Sequence, residues 1–158
     1  MHRFTPVELA VGIALFGSVL AVAVPAFVRE LHASRFVEPV EGLTRIGKGA
    51  VAYAEAHGRF PDSAPLTPRT PPRGHKEVDP PGTWDGPTWS ALGFRPVADG
   101  VPHAYAFSLD GTGNAFVAQA HGDLDGDGIL STFEIRGYAP LGEAPLVMPG
   151  MYIESELE

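Results

Sequence analysis

The chain has 158 residues, which is enough for one domain with an appendage and too few for two sizeable domains. Its net charge is −8 and its basic residues are not clustered, which excludes nucleic acid as an expected partner, since phosphate binding needs concentrated positive charge. The sequence contains no cysteine, so disulfides, thiolate metal sites and a cysteine nucleophile are excluded.

The first segment is strongly apolar, with no charged residue between Leu9 and Val28. About 20 apolar residues in a helix span the hydrocarbon core of a bilayer, so this segment predicts a transmembrane helix. A cleaved secretory signal is the alternative, because Ala21-Val22-Ala23 could serve as its cleavage site. The acidic Glu8 at the start of the run favours the transmembrane helix, since signal peptides normally carry no acidic residue there.

The segment 29–57 is amphipathic, with apolar residues recurring at roughly helical spacing. It predicts a helix with one buried face that continues the apolar segment. Pro25 and Pro39 are expected to kink or break this long helix, because proline lacks the amide donor. Gly58, followed by Pro61, is the expected end of the helix.

The remainder predicts a loop-rich β region. Residues 59–100 are rich in proline and glycine and predict an extended surface loop. Apolar residues near its end are expected to pin it to the body of the protein; these are Trp84, Trp89, Leu92 and Phe94. In 101–158, alternating residues 104–109 and 115–120 flank a turn and predict an antiparallel hairpin. Segments 135–138 and 146–153 predict further short strands. The expected fold class is α+β.

The N-terminal motif resembles a known family. Phe4-Thr5-Pro6-Val7-Glu8-Leu9, the apolar run and Val24-Pro25-Ala26-Phe27 together look like the signature of type IV pilins and type II secretion pseudopilins. The resemblance extends to Phe60-Pro61, which is similar to the start of the loop after the pilin helix. It implies a pilin-like fold, in which a long bent helix packs on a small antiparallel sheet with Pro/Gly-rich loops. It also implies that Phe4, Glu8 and Pro25 act in assembly.

Glu8 is the charged residue at the edge of the apolar run. An ionisable group there is costly unless it has a partner, which makes it a functional-site hypothesis. The resemblance implies that this partner is the free amine of the first mature residue on a neighbouring subunit, and that the pair sets the register of packing. The alternative is a solvated charge at the helix start, favoured by the helix dipole.

Processing of the N-terminus is an open expectation. In the family, prepilin peptidase cleaves after a glycine that precedes the mature Phe, whereas this sequence has Arg3 before Phe4. Residues 1–3 are therefore interpreted as a possible leader remnant, 4–28 as the transmembrane and assembly helix, and 29–158 as a periplasmic or extracellular globular domain. Arg3 fits a basic residue on the cytoplasmic side of a membrane helix.

An acidic loop at 123–134 matches the spacing of an EF-hand calcium loop. Asp123, Asp125 and Asp127 occupy the first three carboxylate positions and Gly128 the sharp turn. The further predicted ligands are the Ile129 carbonyl, Ser131 and Glu134. Hard oxygen ligands favour Ca²⁺, and the strand-like preceding segment favours a structural clip over a sensor. The family resemblance agrees, since pseudopilins are similar in using Ca²⁺ near the C-terminal region. A solvated acidic turn is the alternative.

Nothing in the sequence indicates an enzyme. The six histidines lack zinc-site spacing and are each expected to be exposed or locally bonded. The expected function is a structural subunit of a type IV pilus or type II secretion pseudopilus. It would reside in the bacterial inner membrane, then pack with copies of itself or related pilins into a periplasmic or surface filament. Two alternatives remain: a membrane-anchored calcium-binding domain that does not polymerise, and a secreted binding or hydrolytic domain with a cleaved signal.

Overall fold

The computed structural model describes residues 5–155, apart from the side chains of residues 28–35. The predicted leader remnant 1–3 and Phe4 lie outside the described residues. The chain divides into two compact units, one ending at Phe36 and the other beginning at Val37, and we call the second the head unit.

Helix α1 runs from Pro6 to His57 without interruption. Pro25 and Pro39 both lie inside it. The break that the sequence analysis allowed at these prolines therefore does not occur, although each proline removes one intrahelical hydrogen bond. The helix ends directly before Gly58, as the sequence predicted. The Gly58 amide donates to the Ala54 carbonyl at 2.8 Å.

Within the head unit, α1 buries one stripe of small and apolar side chains. Leu43, Ile46 and Ala50 are fully buried and Ala54 is nearly so, a spacing of three to four residues that confirms the amphipathic prediction for this part of the helix. Gly42 lies against the ring of Phe107, which brings the helix backbone close to the sheet. Val40, which is also apolar, lies outside this stripe and is exposed.

The helix packs on an antiparallel sheet of six strands. The strands run in the spatial order β1-β2-β3-β4-β5, and β6 also pairs with β4. Their bounds are β1 Ala64–Thr67, β2 Tyr105–Gly111, β3 Ala115–Gly122, β4 Ser131–Tyr138, β5 Leu146–Val147 and β6 Tyr152–Glu154. The predicted hairpin is confirmed as β2 and β3, in which Phe107 pairs with Ala120. The predicted mixture of helix and antiparallel strands is therefore present.

The Pro/Gly-rich segment 59–100 is more structured than the sequence suggested. It contains β1 and a short helix, α2, from Pro87 to Leu92. Its aromatic residues are anchored as predicted, since Trp84, Trp89 and Phe94 are buried. Trp84 packs edge-on to Trp89 and Phe94, the Trp89 and Phe94 rings are tilted by 45°, and both Trp84 and Phe94 pack edge-on to Phe107. The guanidinium of Arg45 on α1 lies 5.2 Å above the Phe94 ring and fixes the end of the segment.

Candidate functional site

The first part of the acidic loop, residues 123–130, connects β3 to β4 and brings three carboxylates together. One oxygen from each of Asp123, Asp125 and Asp127 lies within 4.8 Å of the others. Each carboxylate also accepts a backbone amide from further along the loop: Gly126 donates to Asp123 at 2.8 Å, Asp127 to Asp125 at 3.1 Å and Ile129 to Asp127 at 2.7 Å. These short-range bonds curl the loop and bring the three aspartates together.

Arg73 is a cation that the sequence did not assign to this loop. Its Nε donates to Asp123 Oδ2 at 3.0 Å, while the Asp123 side chain is only 1% exposed. The next residue, Gly74, donates its amide to the Asp123 carbonyl at 2.7 Å. The Arg73 guanidinium is the main cause that holds the pKa of Asp123 below its ordinary value, with the Gly128 and Gly126 amides adding to it. Asp123 is therefore ionised at neutral pH.

The other three predicted ligands are placed differently. The Ser131 hydroxyl is buried and donates to the Gly122 carbonyl at 3.1 Å. Glu134 lies inside β4, where its carboxylate accepts from Gln119 at 2.8 Å and from Arg136 at 2.6 Å. It is not in the group formed by the three aspartates. A ligand role for Glu134 thus stays a prediction that would require its carboxylate to leave both partners. Ile129 lies in the loop with its side chain exposed.

His121 lies beside this region on β3, and its Nδ1 is 3.0 Å from the Thr132 hydroxyl. Burial lowers the pKa of His121, and the nearby charge of Glu134 only partly offsets this. The imidazole is therefore neutral at physiological pH and adds no positive charge to the acidic loop.

At the N-terminal end of α1, Glu8 forms a capping box with Thr5. Glu8 Oε2 accepts two hydrogen bonds from Thr5, one from its amide at 2.7 Å and one from its hydroxyl at 3.0 Å. In return, the Glu8 amide donates to the Thr5 hydroxyl at 3.3 Å. This arrangement satisfies amides that a helix start leaves without intrahelical acceptors. The sequence carried the signal in Thr5-Pro6-Val7-Glu8, a threonine followed by a glutamate at the third position, with proline at the first helical residue.

The segment of α1 that follows is exposed and apolar. Between Pro6 and Phe27, 22 residues, the helix is long and apolar enough to cross a membrane, and none of its described side chains is buried. The third predicted assembly residue, Pro25, lies in this segment with its side chain exposed.

Comparison with known proteins adds no relative. No family model, no curated protein and no solved structure matches the chain.

Proposed function

We propose that this chain is a structural subunit, a pilin or pseudopilin, of a type IV pilus or type II secretion pseudopilus. The observation that carries the proposal is the contrast along α1. From Pro6 to Phe27 every side chain is exposed and nearly all are apolar, whereas from Leu43 the same helix is buried on a sheet. A continuous apolar surface of this length is unfavourable in water, so lipid or other copies of the helix must cover it.

In the proposed life cycle, lipid covers the apolar segment first and other copies of the helix cover it later. The apolar segment resides first in the bacterial inner membrane, where about 33 Å of helix matches the hydrocarbon thickness. It then packs against the same segment of neighbouring copies in a periplasmic or surface filament. Packing of one face on a different face of the next copy extends without closing, which produces a helical filament. Prepilin peptidase is the proposed processing partner, with Arg3 at the position before Phe4.

Glu8 is the proposed contact that sets the register between copies. Its carboxylate is exposed and bonded only locally, to Thr5, among the described residues. Exchange of the Thr5 hydroxyl for a neighbour's terminal amine would replace a neutral donor by a cationic one, so that both partners of the hydrogen bond carry charge. In an apolar bundle that gain is larger than in water, because the dielectric constant is lower.

Glu8→Ala is expected to lower the amount of protein in filaments sheared from the cell surface by about tenfold or more. A hydrogen bond to a charged group contributes about 1.5–3 kcal/mol, and each 1.4 kcal/mol changes an equilibrium tenfold. The measurement is electron microscopy and quantitative blotting of sheared fractions from cells that express the chain with its own assembly system.

Glu8→Gln separates pairing from capping, because glutamine also completes a capping box but carries no charge. If the carboxylate pairs with an amine, Glu8→Gln and Glu8→Ala should both fail to assemble. Glu143→Ala, at an exposed loop position, is the matched control and should assemble normally. Absence of wild-type protein from every filament fraction would contradict the proposal and favour a membrane-anchored domain that does not polymerise.

We further propose that the acidic loop binds Ca²⁺ as a structural clip for the head unit. The residues present fit a hard cation, since three carboxylates supply oxygen atoms within 4.8 Å of one another. The Asx-type bonds engage one oxygen of Asp125 and one of Asp127, and each carboxylate has a second oxygen. Asp123 would coordinate in place of, or together with, its pair to Arg73. With no cysteine in the chain, a metal clip would take the stabilising role of a disulfide.

Calcium at about 10 mM is expected to raise the free energy of unfolding by about 1.4–2.7 kcal/mol over that in EDTA. The value follows from a dissociation constant on the order of 10⁻⁴ to 10⁻³ M and preferential binding to the folded state. Thermal unfolding of the full chain in detergent micelles, followed by circular dichroism with Ca²⁺ and with EDTA, measures the difference.

Asp125→Asn with Asp127→Asn is the matched control for this experiment. Asparagine keeps the side-chain oxygens that accept the Asp127 and Ile129 amides but removes both charges, so the loop geometry survives and the calcium effect is lost. Glu134→Gln tests the last predicted ligand, since a reduced calcium effect would show that Glu134 joins the site. An equal melting temperature of the wild type with Ca²⁺ and with EDTA would contradict the structural metal.

A further inference from the structure

Arg73 reaches the acidic loop from the Pro/Gly-rich segment 59–100. Its Nε donates to Asp123 Oδ2 at 3.0 Å, and the Asp123 side chain is 1% exposed whereas that of Arg73 is 60% exposed. The other carboxylate oxygen of Asp123, Oδ1, accepts the Gly126 amide at 2.8 Å. Oδ2 is therefore the oxygen of Asp123 that remains for a cation, and the guanidinium already occupies it.

The backbone on both sides of Arg73 holds it at this position. Arg73 and Asp123 form a parallel bridge, in which the next residue, Gly74, donates its amide to the Asp123 carbonyl at 2.7 Å. The two prolines before it, 71–72, are buried. A Cβ on Gly74 would lie 3.4 Å from the Asp125 carbonyl oxygen, so the two segments are in contact through their backbones. The fold therefore brings the arginine to the loop, and only its side chain has to reach the carboxylate.

The loop supplies both room and negative charge for the guanidinium. A Cβ on Gly128 would stand 2.7 Å from Arg73 Nη2, so the guanidinium lies over a residue that has no side chain. Asp125 and Asp127 each bring an oxygen within 4.8 Å of an Asp123 oxygen, and neither forms an ion pair within the described part of the chain. Carboxylates at this separation repel one another. Among the described residues, Arg73 supplies the cation that offsets this repulsion.

We propose that Arg73 is a built-in counter-ion of the acidic loop, which keeps the loop folded without metal and competes with Ca²⁺ for Asp123. This inference rests on the calcium clip proposed above and adds the regulation of that site. The guanidinium and Ca²⁺ are both cations that require Asp123 Oδ2, so each weakens the binding of the other by the same factor. Arg73 therefore orders the loop before metal arrives and lowers its calcium affinity.

Arg73→Gln separates the charge from the hydrogen bond, because glutamine Nε2 occupies the same place along the side chain as arginine Nε. The variant still donates to Asp123 Oδ2 but brings no positive charge. Calcium titration of the full chain in detergent, followed by nuclear magnetic resonance of the loop amides, should give a dissociation constant about tenfold below that of the wild type. Arg69→Gln, at an exposed position, is the matched control with the same change in net charge and should bind calcium as the wild type does.

Amide hydrogen exchange in EDTA tests the metal-free loop independently of calcium. The amides of Gly126, Asp127 and Ile129 each donate to an aspartate of the loop, so their exchange reports whether it is folded. We expect these amides to exchange about fivefold faster in Arg73→Gln than in the wild type, because a charge-assisted hydrogen bond is about twice as strong as a neutral one. Arg69→Gln should exchange at the wild-type rate.

The wild-type chain gives a direct measurement of the competition. The Nε–H of Arg73 should be protected from exchange in EDTA and lose that protection when Ca²⁺ is added, because its acceptor is then taken. Equal calcium affinities of the wild type and Arg73→Gln would overturn the competition and leave the calcium clip standing. Absence of calcium binding by both would overturn the clip together with the competition. Equal amide exchange of the two proteins in EDTA would contradict the role of Arg73 in the metal-free loop, whether or not calcium binds.

Discussion

Gly111→Ala is expected to lower the free energy of unfolding of the head unit by about 3 kcal/mol, at the upper end of overpacking effects. A Cβ at this position would stand far inside van der Waals contact with the Pro61 carbonyl oxygen and 3.1 Å from its carbonyl carbon. Both groups are backbone, so no side-chain rotation relieves the clash. Thermal unfolding should show a melting temperature about 10 °C below that of the wild type.

The backbone around Gly111 is also held from the other side. Its amide donates to the Ser63 hydroxyl at 3.1 Å, and that hydroxyl donates to Asp110 at 2.8 Å, so a shift of the chain breaks these bonds. Gly86→Ala is the matched control, because its Cβ would meet only Trp89 at an ordinary 3.6 Å. We expect the control to lose about 1 kcal/mol at most, the cost of alanine at a helix N-cap. Equal losses for both variants would contradict the steric argument.

The sequence predicted the regular part of the head unit well because its hydrophobic pattern matches its burial. In β3 every second residue is buried, from Phe116 to Gly122, and this alternation is what the hairpin prediction used. Strand β1 was missed because Pro65 and the surrounding prolines disfavour a strand. It is nevertheless possible since β1 is at the edge of the sheet, where a missing amide costs little.

The candidate site was predicted in part for a similar reason. The convergence of Asp123, Asp125 and Asp127 is local, and regular spacing along one loop predicts it. Arg73 lies 50 residues earlier in the chain, and its approach depends on how the Pro-rich segment crosses the head unit. The position of Glu134 differs from that in an EF-hand because the loop is followed by a strand, in which the side chain points onto a sheet face toward Gln119.

The difference between local sequence patterns and contacts of distant segments also explains what could be predicted for the N-terminal helix and for the histidines. Hydropathy predicted the exposed apolar segment from Pro6 to Phe27, since length and composition suffice for that inference. The burial of His103 could not be predicted, because its partner Asp79 lies 24 residues away in a segment without a regular pattern. Polar contacts between distant segments are set by the tertiary fold, and a single sequence does not record them.

Glu38→Ala is expected to destabilise the head unit by about 2–6 kcal/mol. Glu38 Oε1 accepts the amides of Ala104 at 2.8 Å and Tyr105 at 2.9 Å, and both residues are at least 96% buried, with exposures of 4% and 1%. Loss of the acceptor of a buried amide costs about 1–3 kcal/mol, and this variant removes it from two amides at once.

Glu38→Gln is the control that assigns this loss to the hydrogen bonds. Glutamine keeps Oε1 as an acceptor and gives up only the charge, whose pair with Lys76 is 3.8 Å long and largely exposed on the lysine side. Such a pair contributes about 0–1 kcal/mol, so the Gln variant should stay within about 1 kcal/mol of the wild type in denaturant unfolding. If Glu38→Gln lost as much stability as Glu38→Ala, the negative charge beside His103 would matter more than the two amides. The helix would then be held to β2 mainly by electrostatic attraction.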